Sequence, residues 1–274
     1  MRITTADGTR LAVHDTGGTG RPVVLLHAWG LDSHMWNSQI GPLAQTGARV
    51  ITIDRRGHGR SDVPATGYDL NTLASDVVTA IDEVAGAGVV LIGHSLGGLE
   101  AAMVAAGPSS DRVAALVLSA SVTPCLLHRP DNPHGLPREI FESGRHMMSA
   151  DIGAWIIDNT AGYWGDANPA RPVETAWTQQ RIYSTPLAVL LSTNQAMVDA
   201  DVRPHLARIS CPTLVIHGDS DRSAPLPITG TPTAHLLRHG HLEVVAGAGH
   251  GLYTSHAATY NDILHRFIAN TTGS

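Results

Sequence analysis

The stretch Val89-Val90-Leu91-Ile92-Gly93-His94-Ser95-Leu96-Gly97-Gly98 limits the fold more than any other part of the chain. A β-branched apolar run ends in Gly-x-Ser-x-Gly, and a small-residue helical pattern follows from Leu96 to Ala106. That order predicts a strand, a sharp turn and a helix. A Ser at such a turn sits in strained backbone, with its Oγ pushed out above the sheet edge. A Cβ at Gly93 or Gly97 would collide across the turn. The backbone N–H of Leu96 opens the helix and can face a developing oxyanion. Gly-x-Ser-x-Gly by itself also fits a glycine-rich turn with an incidental Ser. The flanking strand and helix make Ser95 a candidate nucleophile.

The remaining pattern agrees with a parallel sheet. Leu11 to His14 reads as an early strand, and Pro22 to Leu26 as a buried one ending in His27-Ala28-Trp29-Gly30. Arg49 to Ile53, Val89 to Ile92, Val113 to Leu118, Cys211 to Ile216 and His241 to Val245 continue the series. Leu73, Val77, Ile81 and Val84 mark a helix capped by Asp69 or Asn71. A closing helix spans about Ala257 to Ala269, with Tyr260, Ile263, Leu264 and Phe267 inward. Strands alternating with helices at this spacing predict an α/β fold: a mostly parallel twisted sheet with helices on both faces. From 121 to 208 the rhythm breaks. This stretch is rich in proline, holds three of the five Trp, and is too long for a loop. It is expected to be a helical cap inserted into a core made of residues 1–120 and 209–274.

At 274 residues the chain suits one large domain with an insertion. A net charge of −6 argues against a nucleic-acid surface. All 18 basic residues are Arg. The absence of Lys excludes a Schiff base, a Walker A site and a Ser-x-x-Lys nucleophile. The two Cys make no disulfide framework. No apolar targeting segment opens the chain, and no run is long enough to cross a bilayer. The expectation is a cytoplasmic protein without a membrane partner, its oligomeric state left open.

A Ser hydroxyl needs a base, and the base needs an orienting carboxylate. His250 lies in a glycine-rich loop after the last strand, and Asp221 lies after the preceding one. The chain order Ser, Asp, His is that of an α/β-hydrolase triad. Asp219 competes with Asp221. Asp221 is preferred because the earlier residue more often caps such a turn. The second oxyanion donor is expected in the loop after Pro22–Leu26. Trp29 is chosen for it, with His27 orienting that loop.

Five segments occur here in order: Val-Val-Leu-Leu-His-Ala-Trp, Asp-Arg-Arg-Gly-His-Gly-Arg-Ser, Gly-His-Ser-Leu-Gly-Gly, His-Gly-Asp-Ser-Asp-Arg-Ser-Ala-Pro and Gly-Ala-Gly-His-Gly-Leu. With them the chain resembles the α/β-hydrolase superfamily, and within it the cofactor-free bacterial haloperoxidase (perhydrolase) and aryl esterase group. The stretch Asp131 to Phe141 is also similar to that group. The resemblance implies Ser95, Asp221 and His250 as the triad, with the Trp29 and Leu96 amides as the oxyanion hole. It also implies ester hydrolysis, with peracid formation as a side activity. Three departures stand out. Ala28 replaces the usual Gly after the loop His, Gly30 follows Trp29 where perhydrolytic members commonly carry Pro, and the chain has only two Phe.

The expected activity is therefore that of a serine esterase acting on a small-molecule ester or lactone, without cofactor or metal. Lactonase or perhydrolase action uses the same parts. A non-catalytic ligand receptor of the same fold is the rival. Gly30, Trp164 and Met148 are taken as substrate-pocket residues. Gly30→Pro is expected to raise the ratio of perhydrolysis to hydrolysis, provided φ at Gly30 is negative. His239-x-His241 reads as an exposed strand surface rather than a metal site, and Gly57-His58-Gly59 as a turn held by Asp54 and Arg56.

Overall fold

A computed structural model of the chain describes residues 1–165 and 171–271. The strands are β1 (Arg2–Thr4), β2 (Arg10–Asp15), β3 (Pro22–Leu26), β4 (Arg49–Ile53), β5 (Val89–His94), β6 (Val113–Ser119), β7 (Thr213–Gly218) and β8 (Gly240–Val245). They form one sheet in the order β1-β2-β4-β3-β5-β6-β7-β8. The first two pairings, β1 with β2 and β2 with β4, are antiparallel; all others are parallel. β5 lies in the middle of the parallel part, and every one of its residues is buried. That double-sided burial is why its sequence is an unbroken apolar run rather than an alternating one.

The helices are α1 (Asn37–Gln45), α2 (Leu70–Ala80), α3 (Leu96–Ala106), α4 (Arg138–Ala150), α5 (Ile152–Thr160), α6 (Pro172–Ser184), α7 (Leu187–Asp199), α8 (Arg203–Leu206), α9 (Gly230–Leu236), α10 (Leu252–Ser255) and α11 (Ala257–Thr271). Successive strand side chains point to opposite faces. Val24 and Leu91 accordingly join α2, α3 and α8 in one core, while Val23, Val90 and Ile92 join α1 and α11 in the other. Asp69, not Asn71, caps α2: its Oδ1 accepts from Thr72 N at 3.0 Å. In α11 the buried set is Tyr260, Ile263, Leu264 and Ile268, with Phe267 only half-buried. Among the described residues five helices, α4 to α8, lie between β6 and β7 in the chain. Among the described residues no helix is long and apolar enough to cross a membrane.

Candidate active site

Gly93 is the last residue but one of β5 and Gly97 lies in the first turn of α3, and the two peptides almost touch. A Cβ on Gly93 would sit 2.1 Å from Gly97 O, and one on Gly97 would sit 2.5 Å from Leu26 O. Only glycine lets the strand reverse into the helix this tightly. Ser95 lies between them with φ 57° and ψ −118°, outside the regions a serine ordinarily adopts. The surrounding structure holds that strain: Ser95 N donates to Ser119 O, and Gly98 N to Ser95 O, each at 3.0 Å.

His250 and Asp221 come together. The His250 Nδ1–H donates to Asp221 Oδ2 at 2.7 Å, and both residues are buried. A carboxylate only accepts, so the proton is on Nδ1 and Nε2 is left as the acceptor. Asp221 Oδ1 accepts from the amides of Ser223 at 2.9 Å and Ala224 at 2.8 Å. Burial alone would raise this carboxyl. The His250 charge and the hydrogen bonds from His217 and His250 outweigh it and hold Asp221 well below the usual carboxylate range. Asp219 is exposed and faces away. Its Oδ1 accepts from Gly247 N at 2.7 Å and ties the β7 and β8 turns together. The His94 ring, immediately before Ser95, lies edge-on to the His250 ring with centroids 4.9 Å apart. The strand-to-helix turn and the histidine loop therefore meet.

The loop after β3 is held from two sides. Below it, Arg55 forms a fully buried ion pair with Glu100 of α3. Above it, Trp29 Nε1 donates to Leu190 O of α7 at 3.0 Å, and its ring is edge-on to Trp155 of α5 at 5.6 Å. Among the described residues, no backbone hydrogen bond outside helices and strands uses the N–H of Trp29 or of Leu96. His27 orients the loop: its Nε2 accepts from Arg55 N at 2.9 Å, and its Nδ1–H donates to Ala28 O at 2.7 Å. Burial, then the Arg55 charge, pushes this imidazole well below the ordinary histidine range.

Gly30 has φ +70°, so the condition attached to Gly30→Pro fails. Proline is locked near −65° and cannot take this conformation, and a Cβ here would also press on Ile182 at 3.2 Å. The expected gain in perhydrolysis from that substitution is withdrawn. Trp164 is buried beneath the histidine loop: its carbonyl accepts from Gly249 N at 3.2 Å, and the Tyr163 carbonyl accepts from Gly251 N at 2.9 Å. Tyr163 also lies edge-on to the His250 ring at 5.2 Å. Met148 is buried on α4. A cavity of about 780 Å³ opens between the Ala65–Asp69 loop, α4 and α7, and none of Ser95, Asp221 or His250 lines it.

The turn after β4 is structural. Asp54 accepts from Ser33 N and Arg60 N, each at 2.9 Å, and Arg56 is buried against Asp76 of α2 and Asp7. His241 Nε2 lies 3.3 Å from Glu243 Oε1 on the exposed part of β8. Among the described residues no cluster of three His, Cys, Asp or Glu could hold a metal ion. Sequence reasoning missed the Arg55–Glu100 pair and His217. The one local signal for the pair was a lone Glu inside a helix of small apolar residues. For His217 it was the His opening His-Gly-Asp-Ser-Asp.

The profile of a family described as "Alpha/beta hydrolase family" matches residues 23–263. A non-heme haloperoxidase of Rhodococcus erythropolis is 34% identical over 97% of this chain and 98% of its own. A bifunctional esterase/perhydrolase of Acinetobacter calcoaceticus is 33% identical over the same shares. Among solved structures, an esterase from Exiguobacterium antarcticum superposes with a TM-score of 0.93 at 27% identity, covering 98% of each chain.

Proposed function

The chain belongs to the alpha/beta hydrolase family, and from that premise we propose that it is a serine hydrolase that cleaves small carboxylic esters through Ser95, His250 and Asp221. Ser95 Oγ attacks the ester carbonyl carbon while His250 Nε2 takes its proton. The Trp29 and Leu96 amides receive the oxyanion. The tetrahedral intermediate collapses, His250 passes the proton to the departing alcohol, and the acyl group remains on Ser95. Water then attacks with His250 as base, and the acid leaves. Residues 121–208 act as the cap over this chemistry, with Gly30, Trp164 and Met148 on the substrate side.

The observation that carries the reading is the 2.7 Å contact between His250 Nδ1 and Asp221 Oδ2. It fixes the imidazole in the tautomer whose free nitrogen can accept a proton. A second reading, perhydrolysis, uses the same acyl-enzyme with peroxide in place of water. It is favoured by the esterase/perhydrolase relative. The test is labelling by a fluorophosphonate probe. An enzyme is labelled at Ser95, and Ser95→Ala is not; a receptor of the same fold leaves both unlabelled. A screen of esters and lactones of graded acyl size, with and without peroxide, then separates esterase, lactonase and perhydrolase action.

A further inference from the structure

His217 is the fifth residue of β7 and is fully buried. Its Nε2 lies 2.7 Å from Ala224 O. A carbonyl can only accept, so the ring proton is on Nε2. The same Nε2 lies 3.4 Å from Asp221 Oδ2, the oxygen that also receives the His250 proton. Its other nitrogen, Nδ1, is buried without a partner. A leucine would fill this space with no orphaned polar atom, so packing does not account for a histidine here. What the imidazole adds is a single N–H directed at the Asp221 loop.

That N–H acts on Asp221 in two ways. It holds the Ala224 carbonyl, and the N–H of the same residue donates to Asp221 Oδ1 at 2.8 Å. It also supplies partial positive charge to Oδ2 itself. We infer that His217 is a positioning residue of the site: it holds the Asp221 carboxylate in register and limits how much of its charge reaches His250. The inference rests on the serine-hydrolase reading above. The groups facing Asp221 are His217 from β7 and His250 from the loop after β8, with weaker influence from His94 at the end of β5 and Tyr163 beyond α5.

Two donors share one carboxylate oxygen. Removing His217 leaves more of the negative charge to His250 and favours its cationic form. His250 must be neutral to act as base. The acid limb of kcat/KM therefore moves to higher pH when the His217 N–H is lost.

The experiment compares wild type, His217→Gln and His217→Leu on a p-nitrophenyl ester between pH 5 and 9, after fluorophosphonate labelling of the wild type. Gln keeps an N–H near the position of Nε2, whereas Leu has none. The expected result is an upward shift of the limb in His217→Leu on the order of half a pH unit, with His217→Gln close to wild type. The low-field proton resonance of His250 Nδ1–H should move with the limb. If His217→Leu does not fold, His217→Asn takes its place, since its amide cannot reach Ala224 O. Activity that falls equally in all variants with an unmoved limb and an unmoved resonance overturns the inference, because that is what lost packing alone would do. An unlabelled, inactive wild type overturns the serine-hydrolase reading instead.

Discussion

Arg55 holds His27 at both ends: its backbone N–H donates to His27 Nε2 at 2.9 Å, and its guanidinium Nη2 donates to His27 O at 2.7 Å. The loop carrying Trp29 is thus fastened to the turn after β4 and, through Glu100, to α3, the helix that follows Ser95. Buried charge is tolerated in this place because the guanidinium is matched by a carboxylate and two carbonyls.

Glu100→Gln should expose that dependence. It leaves the Arg55 cation buried without a counter-charge, which costs about 3–5 kcal/mol. Urea unfolding at neutral pH measures the loss, and kcat should fall with it as the proposed oxyanion loop loosens. A variant within about 1 kcal/mol of wild type would mean that the pair contributes no more than an exposed one.

Ser95→Ala should remove esterase activity by about three orders of magnitude or more while the fold is retained, because binding and oxyanion terms alone give little turnover. Steady-state rates and circular dichroism on the same preparation decide it. Activity within tenfold of wild type would take the nucleophile away from Ser95.

Asp221→Asn should be far more damaging than Asp219→Asn. The first residue touches His250, and the second caps a turn by way of Gly247 N. If kcat drops more in Asp219→Asn, the two roles must be exchanged.

Acid should destabilise the protein through its buried histidines. Burial, then the Arg55 charge, pushes the His58 imidazole from 6.5 down to about 3. Between those values the unfolded chain binds a proton at this position and the folded protein does not. Stability therefore rises with pH across that window and is lost as the pH falls from about 6.5 toward 3. His27 and His94 are lowered in the same direction, both chiefly by burial. Glu100 and Asp76, raised by burial, act in the opposite sense. Replacing His58 by Gln isolates one proton: the pH slope of the unfolding free energy between about 4 and 5.5 should decrease by about 1.3 kcal/mol per pH unit. An unchanged slope would show that His58 titrates alike in both states.

Gly30→Ala should destabilise the protein by about 1 kcal/mol or more, because φ is left-handed and the new methyl meets Ile182 and Leu190. Gly30→Pro should be worse, and its thermal midpoint should fall below that of Gly30→Ala. A Pro variant as stable as wild type would require a different backbone at this loop.

The parts legible in the sequence were those written locally. Gly93 of β5 and Gly97 of α3 announce the strand-to-helix turn because steric closeness there leaves no other residue type. The strands around it were readable because double-sided burial demands uninterrupted apolar runs, although β1 is too short to leave a pattern and β7 begins at Thr213 rather than Cys211. Which Asp meets His250 was a matter of turn geometry, and the preference for Asp221 rested on a statistical habit of turns. Arg55–Glu100 and His217–Asp221 lay beyond sequence reasoning for different reasons. The first joins residues 45 apart across two elements. The second joins residues only four apart, but its meaning depends on a loop that turns back on its own strand. The helices between β6 and β7 follow no sheet rhythm, so a helical stretch was legible there but the bounds of α4 to α8 were not.

The two backbone hydrogen bonds from Gly249 and Gly251 to the carbonyls of Trp164 and Tyr163 stitch the histidine loop to the chain between β6 and β7. That seam bears on how such a protein can be rebuilt. A cap exchanged wholesale for one from another hydrolase would take the 163–165 strip with it and leave the His250 loop without its far wall. The cap proposed at residues 121–208 is therefore not a detachable module. Any chimera that hopes to inherit the chemistry must cut outside that strip and keep it with its host, and descendants of this chain that diversify their caps would be expected to vary α4 to α7 around a strip that stays put.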